Sequence, residues 1–390
     1  MKHTFKLIGL IVMCQQMVWA AERPSFVVKP YLQWSTQTQM TVKWETSTPT
    51  RGFVEYGKAT FNAESPALSQ KAEGKAEVAL QTVTLTGLEA ETEYFYRAVS
   101  ISAAGDTLRS RIYPFKTAVK DDSPFAFTVF SDTQGVPNPT VWGQVAKIAE
   151  KERPNFAIHS GDQVDNGHDR SNWTGQFFPQ GESFMNKYAM FTVPGNHEND
   201  APNYHNYLGH PDGLRCYSFV YGNTEFFMFD TNQDVSEGSE IYKKLEADLA
   251  RSTAKWKIVA HHHPIYSSDN DDYGNTRVAK STLGSPKLKH LAPLYEKYNV
   301  DIVFYGHIHT YERTWPLRDN KVNLENGTIY MTMGGGGGGL ETPSFWRSWF
   351  TNKLFLDHHF GYVRIVNGEL HFQAIDLNGN ILDQFILEKE

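Results

Sequence analysis

The amino-acid sequence predicts an all-β sandwich followed by an α/β sandwich with a mixed sheet. Three observations lead there. From Pro24 to Thr117, short alternating runs such as "MTVKWET", "RGFVEYG", "QTVTLTGL" and "TEYFYRAVSI" are separated by turn residues, the spacing of a small antiparallel sandwich. After "AVKDDSP", a polar hinge that places a boundary near Asp121, apolar runs alternate with helical patterns. The last thirty or so residues turn antiparallel again around Asn367-Gly368 and Asn378-Gly379-Asn380. The expected units are residues 24–118 and 123–390.

In the first unit "LTGLEAETEYFYRA" resembles the fibronectin type III pattern, in which a leucine and a following tyrosine fix a corner. Leu88 and Tyr94 match it, Trp44 is the core tryptophan, and all three read as packing residues. In the second unit "FAFTVF", "NFAIHS", "WKIVAH" and "DIVFYG" are continuous apolar runs, as strands covered on both faces require. "TVWGQVAKIAEKE", "EIYKKLEADLARS" and "LKHLAPLYEKY" carry helical periodicity between them. The run Gly334 to Gly339 reads first as a flexible turn, with a backbone lying close to a ligand as the alternative. It lacks the lysine and hydroxyl residue of a nucleotide phosphate loop, which excludes ATP binding on that basis.

At 390 residues, with 40% hydrophobic and 21% charged, the chain has the length and composition for two ordered cores. Residues 1–20 combine Lys2, Lys6, an apolar run from Leu7 to Met13, and Val18 and Ala20 at cleavage spacing. They read as an export signal, too short to span a membrane, and imply a secreted or periplasmic protein. Bulky Met13 argues against lipidation of Cys14. Cys216 is then alone and no intrachain disulfide is available. Loss of two lysines moves the net charge of −7 to about −9, which argues against nucleic acid as the main partner. No other stretch is long and apolar enough for a transmembrane segment. Asn172 and Asn326 head glycosylation sequons.

The informative residues terminate the apolar runs. "FAFTVF" leads to Asp132 and "NFAIHS" to Asp162. "AMFTVP" leads to Asn196 and His197, "WKIVA" to His261, His262 and His263, and "DIVFY" to His307 and His309. In α/β sheets ligand-binding residues gather at the carboxyl ends of neighbouring parallel strands. Carboxylate, amide oxygen and imidazole are ligands for first-row transition ions, and two aspartates, an asparagine and three histidines exceed one tetrahedral shell. Taken singly, Gly-Asp is a common turn and a histidine triplet is commonly a solvated surface. Their order together points to metal.

The ordered set Asp, Gly-Asp, Gly-Asn-His-Glu, Val-x-x-His and Gly-His-x-His resembles the calcineurin-like metallophosphoesterases. "HTYERT" and the preceding β unit point to the purple acid phosphatase branch. The resemblance covers nearly the whole mature chain, including "YSFVYGNTEFFMFDT" at 217–231. It implies that Asp132, Asp162 and His309 hold one ion and that Asp162, Asn196, His262 and His307 hold a second, with Asp162 as bridge and a spacing of about 3.5 Å. The pair would be Fe, Zn or Mn. The implied activity is hydrolysis of small phosphomonoesters by hydroxide formed on the ions, with His197 contacting phosphate or protonating the leaving group. A phosphodiesterase or nucleotide hydrolase on the same site is the alternative. An inert glycan- or protein-binding module is the alternative of another class. His261 and His263 flank His262 and are candidates for substrate contact or for supporting the ligands. Glu198 is a candidate for orienting His197, or for a local structural role.

Three departures from the family stand out. The branch has a tyrosine three residues after the bridging aspartate, whose phenolate colours ferric iron, and here that position is Asp165. Gln134 stands where the wider family has histidine and the purple branch glycine. Gln134 and Asp165 are therefore further candidates for the first ion's shell. The loop 267–275, "SSDNDDYGN", carries Asp269, Asp271 and Asp272 where plant-type members have histidines. Facing the pocket, these would repel a dianionic monoester. Solvated, they would be neutral to it.

Overall fold

The computed structural model describes residues 23–60, 66–135, 140–269, 272–274 and 280–390. The export-signal stretch, Cys14 and Asp271 lie outside the described residues. The N-terminal alternation becomes β1 (Phe26–Gln33), β2 (Gln39–Lys58), β3 (Gln70–Thr86), β4 (Glu93–Ile101), β5 (Thr107–Arg109) and β6 (Tyr113–Lys116). These strands hydrogen-bond as one six-stranded antiparallel sheet. The first half of β2 pairs with β1, the register breaks between Glu45 and Thr50, and the second half pairs with β4. Met40, Val42 and Trp44 of the first half, spaced by two, share one core with Val54 and Tyr56 of the second and Tyr96 of β4. The Trp44 indole N–H donates across that core to Ser100 Oγ at 2.9 Å. Leu88 and Tyr94 are buried in it, and the Tyr94 hydroxyl accepts the Glu89 N–H at 2.9 Å.

The remaining chain forms β7 (Phe125–Phe130), α1 (Thr140–Lys151), β8 (Phe156–His159), α2 (Phe178–Met185), β9 (Ala189–Thr192) and α3 (Pro202–Tyr207). There follow β10 (Cys216–Tyr221), β11 (Thr224–Phe229), α4 (Glu240–Arg251), β12 (Trp256–Ala260), α5 (Leu291–Lys297) and β13 (Ile302–Tyr305). The chain ends with β14 (Tyr311–Thr314), the short ribbon β15 (Leu317–Arg318) and β16 (Lys321–Val322), then β17 (Ile329–Met333), β18 (Thr351–Phe355), β19 (His359–Val366), β20 (Glu369–Asp376) and β21 (Ile381–Glu388). The alternation forms the expected α/β sandwich, built of two mixed sheets. One has the order β21-β20-β19-β7-β8-β9, the other β10-β11-β12-β13-β17-β14-β18. In the first, β7, β8 and β9 are parallel, and in the second β11, β12, β13 and β17 are.

Alternation along each strand explains the layers. Phe127 and Val129 of β7 join Ile258 of β12 and Phe304 of β13 in the core between the sheets, whereas Phe130 faces outward with Trp142 of α1 and Phe184 of α2. Val259 and Val303 likewise face Leu245 of α4 and Leu294 of α5. Both faces of each sheet are therefore covered, which is what continuous apolar runs require.

The β unit is bound to the second unit through buried polar contacts. The Tyr31 hydroxyl donates to Tyr207 O at 2.8 Å, and the Tyr96 hydroxyl donates to Asn186 O at 2.9 Å. Glu45, 7% exposed, accepts from the Tyr207 hydroxyl at 2.6 Å and from Arg170 at 2.8 Å. Tyr207 ends α3, the helix that follows the Asn196 loop, so the N-terminal sheet braces that loop from behind. Replacing Glu45 with alanine leaves the Tyr207 hydroxyl without its acceptor, and is expected to cost about 2 kcal/mol in urea unfolding. An unchanged midpoint would show that the brace contributes nothing.

Candidate metal centre

Each sequence-predicted residue leaves its strand through a tight turn. Asp132 and Asp162 both adopt φ near +55 (each 55), and His307 has φ 73, a region that side chains with a Cβ rarely occupy. The turns rest on one another. Asp132 N–H donates to Gly161 O at 3.0 Å, and His307 N–H donates to Asp132 Oδ1 at 2.9 Å. His197 N–H donates to Asp162 Oδ1 at 2.9 Å. A Cβ on Gly306 would lie 2.1 Å from Asp132 Oδ2, so glycine is required where these turns cross.

The structure brings the predicted donors together. Ligand atoms of Asp132, Asp162 and His262 lie within 4.8 Å of one another, and so do those of His262, His263 and His307. His262 Nδ1–H donates to Ser160 O at 2.9 Å, which leaves the Nε2 lone pair facing Asn196 Oδ1 at 3.0 Å and Asp162 Oδ2 at 3.2 Å. His309 Nδ1–H donates to Gly339 O at 2.7 Å, and its Nε2 lies 3.6 Å from Asp132 Oδ1. His307 Nδ1 lies 2.9 Å from the same Asn196 Oδ1. Lone pairs converging on lone pairs repel until a cation or proton comes between them. Oxygen and imidazole donors in this set fit first-row divalent ions.

The electrostatics agree. Burial pushes the Asp162 carboxyl up, but His262 and His197 outweigh it and hold the group well below the usual carboxylate range. Burial likewise raises Asp132, and the His309 contact and His262 turn the balance to a lowered value. Burial opposes the charging of His262 and His309, yet Asp162 raises the first and Asp132 the second, each to about 9. The carboxylates thus pull positive charge into a buried space.

The candidates around this cluster divide. Gln134 Nε2 lies 3.1 Å from His309 Nε2, and buried Gln134 Oε1 and Asp165 Oδ2 have no hydrogen-bond partner among the described residues, as oxygens awaiting a cation would. The His197 ring is set by Nδ1–H donating to Asp165 O at 2.7 Å, not by Glu198, and its Nε2 stands 3.9 Å from Asp162 Oδ2. Glu198 takes the structural part of its expected pair of roles. Its buried carboxylate accepts the N–H groups of Asp162 (2.8 Å), Gln163 (2.8 Å), Val164 (3.3 Å) and Gly195 (2.6 Å). Burial and Asp162 together push it up to about 7.

His261 sits in an apolar setting with its ring against Phe229, Tyr295 and Tyr305, rather than beside substrate. Strand alternation explains this, since His261 continues the face of Val259 toward the helices. His263 stays near the cluster, its Nδ1 2.8 Å from Thr231 Oγ1. The six-glycine run is not a free turn. Gly336 and Gly338 N–H donate to Ser131 O and Asp132 O at 3.1 and 3.0 Å, and a Cβ on Gly338 would lie 2.5 Å from the His309 ring. "YERT" is structural as well. Tyr311 and Arg313 bind Asp383 at 2.8 and 2.6 Å, while Glu312 accepts from Ser268 N and Thr351 Oγ1 at 2.8 and 2.6 Å.

The sequence reading missed His159. Fully buried, it contacts Thr133 Oγ1 at 3.0 Å and the Gln163 amide at 3.1 Å, joining the Asp132 and Asp162 turns. Its place at the last position of an apolar strand, three residues before Asp162, was the available signal. Replacing Glu198 with alanine strands the amides it collects, and is expected to cost about 3 kcal/mol or more in chemical denaturation. A midpoint within experimental error of the parent's would show that this cage is not needed.

Comparison with known proteins follows the same division. A model described as "Calcineurin-like phosphoesterase" matches residues 125–311, and "Purple acid Phosphatase, N-terminal domain" matches 27–117. The chain is 30% identical to acid phosphatase type 7 of Mus musculus over 390 residues, covering 88% of this chain and 86% of the relative. It is 31% identical to "Probable inactive purple acid phosphatase 27" of Arabidopsis thaliana over 282 residues, 62% of this chain and 45% of that one. It spans about half the length of such plant relatives. The fold matches that of purple acid phosphatase PPD1 from yellow lupin (Lupinus luteus) seeds with a TM-score of 0.80 at 23% identity, over 94% of this chain and 75% of that one.

Proposed function

The chain belongs to the calcineurin-like phosphoesterases that carry a purple acid phosphatase N-terminal domain, and from that membership we propose that it is an exported, two-metal phosphoester hydrolase. The observation that carries the reading is the convergence of Asp162 Oδ2, Asn196 Oδ1 and His262 Nε2 within 3.0–3.2 Å contacts. Asp132, Asp162 and His309 would hold one ion, with Gln134 and Asp165 as further donors. Asp162, Asn196, His262 and His307 would hold the other. Such a pair, when bound, supplies Lewis acidity that activates water and offsets phosphate charge.

The chain's own groups do the rest. The Asp162 carboxylate lies between the two donor sets and is fixed by the His197 amide. The Asn196 amide oxygen is shared by His262 and His307, so one side chain registers two strand ends. His197 is half-open to solvent, with its Nδ1 proton committed to Asp165 O and its Nε2 toward the cluster. That geometry suits transfer of a proton at Nε2 to a leaving oxygen. Export is supported by the leader pattern of residues 1–20. No helix among the described residues is long and apolar enough to cross a membrane. Names of some plant relatives contain "inactive". The full donor set of this chain supports an active enzyme over an inert binding module.

Asp162→Asn and Asn196→Ala are each expected to lower kcat/KM on phosphoesters by at least about 100-fold while leaving the circular dichroism spectrum intact. Chelation should abolish the parent's activity, and metal should restore it. Full activity in either folded variant would refute the assignment.

A further inference from the structure

The exposed tryptophans among the described residues are Trp315, Trp346 and Trp349, at 37%, 77% and 43%, and all three lie in the chain between β14 and β18. Trp44, Trp142, Trp173 and Trp256 are buried. A large ring left in water contributes little to the core, so several placed together mark a surface that binds something. Trp315 and Trp346 line a groove of about 610 Å³ beside the edge of the second sheet, with Arg347 and with Asn352, Lys353 and Phe355 of β18. Small-molecule clefts enclose roughly 300–1,000 Å³, so the groove has the size of a binding site. Trp349 turns elsewhere, its ring edge-on to Tyr266 and Phe350.

The charge of the groove has one sign. No carboxylate lines it, and its two ionic groups are the cations of Arg347 and Lys353, in a chain of net charge −7. Glu312 lies behind the lining, 3% exposed, and its carboxylate accepts from Ser268 N and Thr351 Oγ1 at 2.8 and 2.6 Å. Burial pushes that carboxyl up, which limits the negative charge set against the groove. Arg347 is fixed in place, its guanidinium donating from Nε to Thr351 O at 3.1 Å and from an Nη to Asn352 O. Both carbonyls belong to β18, the last strand of its sheet. A peptide adding there as a further strand would have to displace the arginine.

We propose that this groove binds an acidic carbohydrate chain, one whose sugars carry carboxylate or sulfate groups. The C–H faces of sugar rings lie flat against aromatic rings, and Trp315 and Trp346 present such rings to solvent. The Asn352 amide offers hydrogen bonds to sugar hydroxyls, and Lys353 and Arg347 attract the acidic groups. The occupied edge of β18 argues against a polypeptide. The concave shape argues against a bilayer, whose surface lies over an amphipathic face and does not fill a groove. The groove is distinct from the metal donors but close to them. Glu341, whose carboxylate accepts the His309 N–H at 3.0 Å, precedes Trp346 by five residues, a length of chain that spans at most about 18 Å. A polymer held here keeps the centre beside the matrix it belongs to. The proposal goes beyond the phosphoesterase reading and does not depend on it.

Calorimetry on the full chain tests it, with polygalacturonate and heparin as the acidic probes, dextran as the neutral one and phosphatidylglycerol vesicles as the lipid one. At least one acidic chain should bind, more weakly as salt is raised, and dextran and vesicles should not. Trp346→Ala and Trp315→Ala should each weaken that binding about tenfold, and Lys353→Ala about threefold. Trp346→Phe keeps a ring and should stay within about threefold of the parent. Because Trp346 is exposed, its alanine variant should melt at the parent's temperature, which separates loss of the site from loss of the fold. Binding of neither acidic chain, equal binding of dextran, a preference for vesicles, or acidic-chain binding that Trp346→Ala leaves intact each overturns the proposal.

Discussion

The structure depends on holding together groups that repel. Two carboxylates, an amide oxygen and imidazole nitrogens aim their lone pairs at a common space, and the arrangement is favourable only with a proton or a cation between them. The arrangement persists because each donor is fixed from behind. His262 and His309 spend their Nδ1 protons on the backbone oxygens of Ser160 and Gly339. Asp132 and Asp162 accept the amides of His307 and His197. The left-handed backbone at Asp132, Asp162 and His307 is the local cost of turning these side chains inward.

That cost is offset by the layers around the site. Parallel strands from two sheets deliver the five turns to one side, and the apolar core between the sheets fixes their spacing. Glu198 draws the Asp162 and Asn196 turns together through backbone amides, and His159 does the same for Asp132 and Asp162. The N-terminal sheet continues this support through Glu45 and Tyr31, which grip Tyr207 beyond the Asn196 loop. A pendant module would not need such buried polar contacts with the helices beside the centre.

Much of this was legible in the residues because apolar strand runs that end in polar clusters mark both the sheet and its active edge. The ligand candidates Asp132, Asp162, Asn196, His262, His307 and His309 could be picked out for that reason. The pairing of strands could not. A strand buried on both faces reads the same whether its neighbour lies in its own sheet or in the one opposite, so the strand order within the sandwich is not legible in these runs. The glycine run misled because absence of a side chain permits both mobility and close approach. Only the contacts of Gly336 and Gly338 with the Asp132 turn decide between them. Among three consecutive histidines, chain order marked His262 but left its neighbours open. The destinations of His261 and His263 depend on which side of β12 the helices cover.

The central claim is that these donors hold two ions that share Asp162. Crystals of protein purified without added metal, measured at transition-metal absorption edges, test it most directly. The account predicts two anomalous peaks flanking the Asp162 carboxylate, one against Asp132 and His309 and the other against Asn196, His262 and His307. No peak at this position, or a single ion bound away from Asp162, would contradict it.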